Sequence, residues 1–302
     1  MGAKQSKQKD MAICLVIFNP AQTKRMLMNY FFCRNEFMKQ GLPVFTMELV
    51  YEGREPEIPD AFHVHASSVM FHKENLYRIL EKKIPKKYTK LAFLDCDVIF
   101  GDPCWYEDTS DLLDKHDVVQ PFETANWMDL TYTEVMLSRK TALLMKSKQW
   151  DFTYHPGFAW CMRRDWYKRV GFFDYAISGS GDTLSVAAWM RKTFPNKFQS
   201  LPDPLVYAYT KDFFLREKPS MTYLKGMTVY HLYHGSRTNR QYAERHKMLD
   251  VSLPITELIH PNKEGVYEWI DEKDQWNARF QAYFDGRNDD DLSQEEIHIQ
   301  TS

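Results

Sequence analysis

The run from Ala12 to Phe18 is apolar without interruption. A run this short and this continuous predicts a strand buried on both faces of a mostly parallel sheet. Asn19-Pro20 breaks it. From Thr23 to Lys39 the pattern turns helical, with Leu27, Tyr30, Phe31, Phe37 and Met38 close to one face and Gly41 at the end. Pro43 to Val50 reads as a second strand. The chain therefore opens on a strand–helix–strand unit, which directs nucleotide chemistry to the carboxyl ends of its strands.

Further along, Glu52 to Asp60 is a loop with Gly53, Pro56 and Pro59. His72 to Lys83 is predicted helical and closes at Pro85. Leu91 to Leu94 is a short apolar strand that runs straight into Asp95. Thr109 to Lys115 reads as a helix, Val118 to Phe122 and Phe158 to Met162 as strands, and Arg164 to Val170 as a short helix. Glu123 to Tyr154 carries no clear period and is left to substrate-facing loops. Helices are expected at Asp182 to Thr193, Leu205 to Arg216, Asn239 to Leu249 and Glu272 to Arg287, with a strand at Gly226 to Tyr233. The alternation of strands and helices predicts one α/β domain over 11–287. Residues 1–10 read as a flexible basic arm, and 288–302, with Asp289, Asp290, Asp291, Glu295 and Glu296, as an acidic mobile tail.

Composition changes this picture only at the margins. A net charge of -2 speaks against a nucleic-acid binder. Five cysteines, an odd count without CxxC spacing, speak against a disulfide framework or structural zinc and for a reducing, cytoplasmic setting. The start Met1-Gly2-Ala3-Lys4-Gln5-Ser6 fits the N-myristoylation pattern, and Lys4, Lys7 and Lys9 could add attraction to an anionic membrane surface.

The strongest local signal for chemistry is Asp95-Cys96-Asp97 at the end of an apolar strand. Alternation in an extended chain points both carboxylates the same way. Together they can hold an oxygen-liking ion, Mg²⁺ or Mn²⁺, which bridges phosphates and absorbs charge on a departing diphosphate. The same tripeptide serves haloacid-dehalogenase-type phosphatases, with Asp95 as nucleophile. Against that reading stand Ile99, the position after a full strand–helix–strand unit, and Gly181-Asp182 followed by Thr183, Leu184, Ser185 and Val186 without further carboxylates. Two more segments stand out: His155-Pro156-Gly157-Phe158-Ala159-Trp160 with Gly179-Ser180-Gly181-Asp182, and Tyr230-His231-Leu232-Tyr233-His234-Gly235. Glycines there admit close approach to the backbone. By local sequence Asp182 also fits a plain helix cap, and the histidines fit packed or exposed side chains.

The order of these segments resembles GT-A glycosyltransferases, in particular a group found in bacteria and large DNA viruses. The resemblance runs through Phe18-Asn19-Pro20, His72 to Leu76, Asp95 and Asp97, Val118 to Phe122, His155 to Trp160, Gly179 to Asp182, His231 to Gly235 and Asn239 to Tyr242. It implies a Rossmann-like nucleotide-binding half and a metal-dependent transfer from a nucleotide sugar, UDP-linked rather than GDP-linked, to a glycan or glycoprotein hydroxyl. By the same resemblance Asp97 is the main metal ligand, Asp95 contacts ribose or metal, His234 is the third ligand and His231 its substitute. Asp182 is the general base of an inverting reaction. Phe18, Asn19, Arg25 and Glu48 meet base and ribose, and Lys73 and Asn75 face the donor. Gly157 lets the donor approach, while Trp127, Phe158 and Trp160 are candidates for stacking on a sugar. A non-catalytic sugar-binding module is the remaining alternative.

Overall fold

The apolar opening forms β1 (Met11–Phe18), and its alternation is visible in the packing. Ala12, Cys14 and Val16 enter one apolar cluster, while Met11, Ile13, Leu15 and Ile17 enter a second on the opposite face. A strand buried on both sides needs cover on both sides, and helices supply it. The computed structural model describes residues 9–194, 203–242, 244–249 and 252–292.

After β1 the chain runs through α1 (Lys24–Lys39), β2 (Val44–Tyr51), β3 (Phe62–Ala66), α2 (Lys73–Glu81), β4 (Lys90–Leu94), β5 (Val98–Phe100) and α3 (Trp105–Leu113). Then come β6 (Val118–Gln120), β7 (Thr124–Met128), β8 (Val135–Lys140), β9 (Ala159–Arg163), α4 (Arg164–Arg169), α5 (Gly181–Met190) and α6 (Asp203–Lys211). The chain closes with β10 (Met221–Tyr223), β11 (Thr228–His231), α7 (Ile255–Leu258), β12 (Ile259–Pro261), β13 (Tyr267–Trp269) and α8 (Lys273–Gly286).

The central sheet has the order β10-β6-β9-β4-β1-β2-β3, and within it only β9 runs against its neighbours. Leu76, Tyr77, Ile79 and Leu80 of α2 cover one face; Tyr30, Cys33 and Phe37 of α1 with Trp105, Tyr106 and Leu113 of α3 cover the other. The fold is therefore α/β, with a mostly parallel sheet flanked by helices. From β1 the chain moves outward to β2 and β3, whereas β4 lies on the other side of β1. That reversal opens a crevice at the carboxyl ends of β1 and β4, the usual ligand position in such sheets. A smaller sheet, β5-β11-β7-β8, stands beside it.

Several expectations need correction. The unassigned stretch after Glu123 contains the β7/β8 hairpin, with an irregular register at Trp127/Met128 that blurs its period. Asn239 to Leu249 is not one α-helix: it forms two 3₁₀ turns, Thr238–Arg240 and Arg245–Leu249, separated at Gln241 by a left-handed φ of 44°. Leu205 to Arg216 likewise divides into α6 and a 3₁₀ turn, Phe213–Leu215.

The supposed acidic tail does not begin at 288. Asp289 is 3% exposed and pairs with Arg240 and Arg287 at 2.8 Å each. Asp290 accepts hydrogen bonds from the backbone N–H groups of Lys24 and Arg25 at 3.1 and 2.7 Å, so it binds orphan amides at the α1 N-terminus. Residues 293–302 lie outside the described residues, as do Gly2, Ser6, Lys4 and Lys7 of the acylation pattern. Lys9 donates to the carbonyls of Gln40 and Gly41, where it serves the end of α1. Among the described residues no helix is long and apolar enough to cross a membrane.

Candidate active site and metal centre

Asp95 and Asp97 leave β4 directly into the crevice. The turn is held from three sides: Asp95 N–H donates to the Phe158 carbonyl at 2.8 Å, Leu232 N–H to the Asp97 carbonyl at 2.7 Å, and Cys96 Sγ to the Val16 carbonyl at 3.2 Å. Phe158 adopts a left-handed φ of 71°, an uncommon conformation for a bulky side chain and one that clusters at functional sites.

Three ligand atoms converge at Asp97. Its Oδ2 lies 3.0 Å from His234 Nε2 and 3.5 Å from His231 Nε2, and the two imidazole nitrogens are 2.9 Å apart. Asp97 Oδ1 is buried and has no hydrogen-bond partner among the described residues. Two ring nitrogens and a carboxylate oxygen aimed at one spot, with a carboxylate oxygen left over, fit a divalent cation. Burial would raise the Asp97 carboxyl, but the two imidazoles hold it well below its ordinary value. Burial lowers His231 to about 3, with Asp97 opposing, so this imidazole is neutral, the form that can ligate a metal. Behind His234, Arg240 Nη2 lies against Nδ1 and donates to the His234 carbonyl at 2.9 Å and to Asp289 Oδ1 at 2.8 Å. The Asp289 carboxylate thereby stands 3.7 Å from Nδ1, where a carboxylate would orient His234 as a metal ligand.

Asp95 does not join this cluster. Its carboxylate pairs with Lys73, which stands at the start of α2. Burial raises the Asp95 carboxyl to about 6, with Lys73 pulling it down and Asp97 pushing it up. The cleft continues past Lys73 and Asp95 to Gly157, Phe158 and Asp182. Asp182 sits in the first turn of α5, one residue beyond its first position, so Ser180 and not Asp182 is the cap. Its Oδ1 accepts from Thr183 N–H at 2.6 Å. Its Oδ2 faces Gly157 so closely that a Cβ there would lie 2.5 Å away. A side chain at 157 would therefore displace the Asp182 carboxylate.

The remaining sequence candidates divide. Lys73, Gly157 and Asp182 line the cleft. Trp127 and Phe158 are in ring contact, 4.8 Å apart, and Phe158 stacks on His231 at 4.5 Å. Phe18 ends β1 among Phe71, His72 and Phe284. Glu48 and Asn75 are occupied elsewhere. Both Glu48 oxygens accept loop amides, from Glu57 at 2.7 Å and Ile58 at 2.9 Å, and Asn75 ties α2 to Gly265 and Tyr267. Asn19 is buried and binds Thr23 and Glu57. Arg25 Nη1 donates to Tyr132 Oη at 3.1 Å. Trp160 is buried but also lines the cleft: its N–H donates to the Pro156 carbonyl and its ring meets Trp189 edge-on.

Sequence reasoning passed over Glu74. It is buried between Lys73 and α5, where a Cβ on Gly181 would fall 2.3 Å from its Cδ. Burial lifts the Glu74 carboxyl to about 7, with Lys73 pulling against it. The folded-state value is above the unfolded one, so its ionisation weighs on stability as pH rises through about 7, and not below about 4.5. Glu74→Gln is therefore expected to raise the melting temperature at pH 8, through a stability gain on the order of 3 kcal/mol that fades toward pH 4.5. Thermal melts of both proteins across pH check it; a pH-independent difference would overturn this ionisation.

No family model matches the chain, and no curated protein matches it. Among solved structures it is similar to Drosophila β1,4-galactosyltransferase 7 in complex with manganese, UDP-Gal and xylobiose, at 12% identity over 85% of this chain and 91% of that one, with a TM-score of 0.41. It is also similar to glucosyl-3-phosphoglycerate synthase from Mycobacterium tuberculosis in complex with Mg²⁺ and UDP, at 9% identity over 87% of each chain, with a TM-score of 0.41. At these scores the likeness lies in the outline of the fold.

Proposed function

We propose that this chain is a metal-dependent GT-A glycosyltransferase that moves a sugar from a nucleoside diphosphate to an acceptor hydroxyl with inversion. The observation that carries this reading is the convergence of Asp97, His231 and His234 at the switch-point crevice, with Asp182 across Gly157. A mixed carboxylate and imidazole set suits Mn²⁺ better than Mg²⁺, which prefers oxygen ligands alone. That donor set also disfavours a phosphatase working through Asp95 and Mg²⁺, as does the pairing of Asp95 with Lys73.

Asp97, His231 and His234 would hold the ion, which when bound offsets charge on the departing diphosphate. Lys73 keeps positive charge beside Asp95 at the donor end of the cleft. Asp182 accepts the acceptor hydroxyl proton as that oxygen bonds the anomeric carbon. The bond from that carbon to the diphosphate breaks on the opposite face, and its electrons leave with the diphosphate. The donor is a UDP-sugar and the acceptor a glycan or glycoprotein. Acylation at Gly2 would bring the enzyme to a membrane surface.

Thermal-shift screening of UDP- and GDP-sugars with Mn²⁺ tests the reading. A ligand at about 100 times its Kd adds about 2.7 kcal/mol, which is several degrees in a chain of this size. The expected result is a shift that needs metal and UDP-sugar together. No shift with any nucleotide sugar in Mn²⁺ or Mg²⁺ would reject it.

A further inference from the structure

The β7/β8 hairpin carries an arrangement that the transfer chemistry leaves unused. Trp127 on β7 is half-buried and lies directly beside His231 of β11 in the sheet. Two guanidinium groups approach its ring: Arg139 Cζ at 5.9 Å from the centroid and Arg237 Cζ at 5.4 Å. Both are within cation–π range. Among the described residues neither has a carboxylate at ion-pair distance, and Arg237 Nε is buried without a partner. Asp151 and Tyr242 act on Arg139 only at longer range. His155, 9% exposed, meets the same indole at 4.6 Å, and its Nε2 is also buried and unpartnered.

Two partly desolvated cations beside one ring, with no anion between them, are costly on their own. Burial and the charge of Arg237 both disfavour the charge on Arg139. An incoming anion would offset that cost and could accept from several of these N–H groups at once. Register says which part of a substrate brings the anion. Arg139 is on β8, opposite Ala125 and on the Trp127 face, while His231 is on β11, the other neighbour of β7. Strands are spaced about 4.8 Å apart and Ala125 lies two residues, about 7 Å, before Trp127 on β7, so the Arg139 backbone stands about 12 Å from that of His231. A diphosphate at Asp97, His231 and His234 lies on the near side.

We propose that Arg139 and Arg237, with Trp127 as a platform and His155 beside it, receive an anionic group of the acceptor: a carboxylate, phosphate or sulfate. This rests on the transferase reading for the word acceptor, but the anion site itself does not. Calorimetry with glucose 6-phosphate and with glucose, each with and without Mn²⁺ and UDP, measures it. The phosphate probe is expected to bind about tenfold or more tighter than glucose, as hydrogen bonds to charged groups imply. Arg139→Gln and Arg237→Gln should each remove most of that preference, with Arg139→Lys restoring part of it, while UDP affinity in Mn²⁺ changes less than about twofold.

Equal binding of the two probes would overturn the proposal. So would a matching loss of UDP affinity in the variants, which would place the charge at the diphosphate. A preference for UDP-glucuronate over UDP-glucose that both variants abolish would also overturn it, by placing the anion on the donor sugar. Failure of UDP to bind at all would count against the transferase reading alone, because the probe comparison without nucleotide still stands.

Discussion

Asp97→Asn is expected to abolish Mn²⁺ binding and, with it, turnover of any nucleotide sugar. The carboxylate is the anionic member of the Asp97, His231 and His234 set, and its loss leaves only the two imidazoles, 2.9 Å apart. Residues behind a ligand typically cost 10–100-fold in metal affinity, so the loss here should exceed about 100-fold. Asp289→Asn, which acts from behind His234 and by way of Arg240, should fall within that smaller range. His231→Ala and His234→Ala should each behave like Asp97→Asn, since both nitrogens converge on Oδ2. Mn²⁺ titration followed by electron paramagnetic resonance measures all four, and circular dichroism checks that each remains folded. Retention of Mn²⁺ affinity in Asp97→Asn would remove the metal centre. Retention in His231→Ala alone would reduce the site to Asp97 and His234.

The elements that were legible in the sequence are those whose own residues carry an unbroken pattern, whichever strands lie beside them. The run at β1 and the strand feeding Asp95 are buried on both faces, so their patterns are unbroken. His231 ends β11 and His234 follows it, which made them candidate ligands, but their spacing did not say that both would face Asp97. What stayed hidden depends on distant partners. Glu48 and Asn75 look available until loop amides and Gly265 are brought against them. Asp289 looks like part of a solvated acidic run, and becomes a buried ion-pair partner only because Arg240 and Arg287 meet it. Glu74 is hidden for the opposite reason. Its neighbours Lys73 and Asn75 drew the attention, while burial against Gly181 is what gives it an unusual carboxyl. The hairpin that carries Trp127 and Arg139 is half-exposed and irregular, so hydrophobic periodicity could not see it.

Asp182→Asn should separate chemistry from binding. Asparagine has the same shape, and its oxygen can still accept from Thr183 N–H, so the first turn of α5 keeps its hydrogen bond. The face toward Gly157 is likewise preserved in outline. What disappears is the capacity to take a proton from an acceptor hydroxyl, which is typically worth 10²–10⁴-fold in rate. The expected result is a loss of kcat on that order, with the affinity for UDP in Mn²⁺ unchanged within about twofold. A purely structural Asp182 would behave differently: Asp182→Ala would lower stability and Asp182→Asn would leave the rate intact. Glu74 supplies the discriminating comparison, because it is a second carboxyl beside the same cleft. If Glu74→Gln removed transfer while Asp182→Asn did not, the proton would go to Glu74. With Asp182 as base, Glu74→Gln leaves transfer measurable, and Asp182→Asn removes the rate itself.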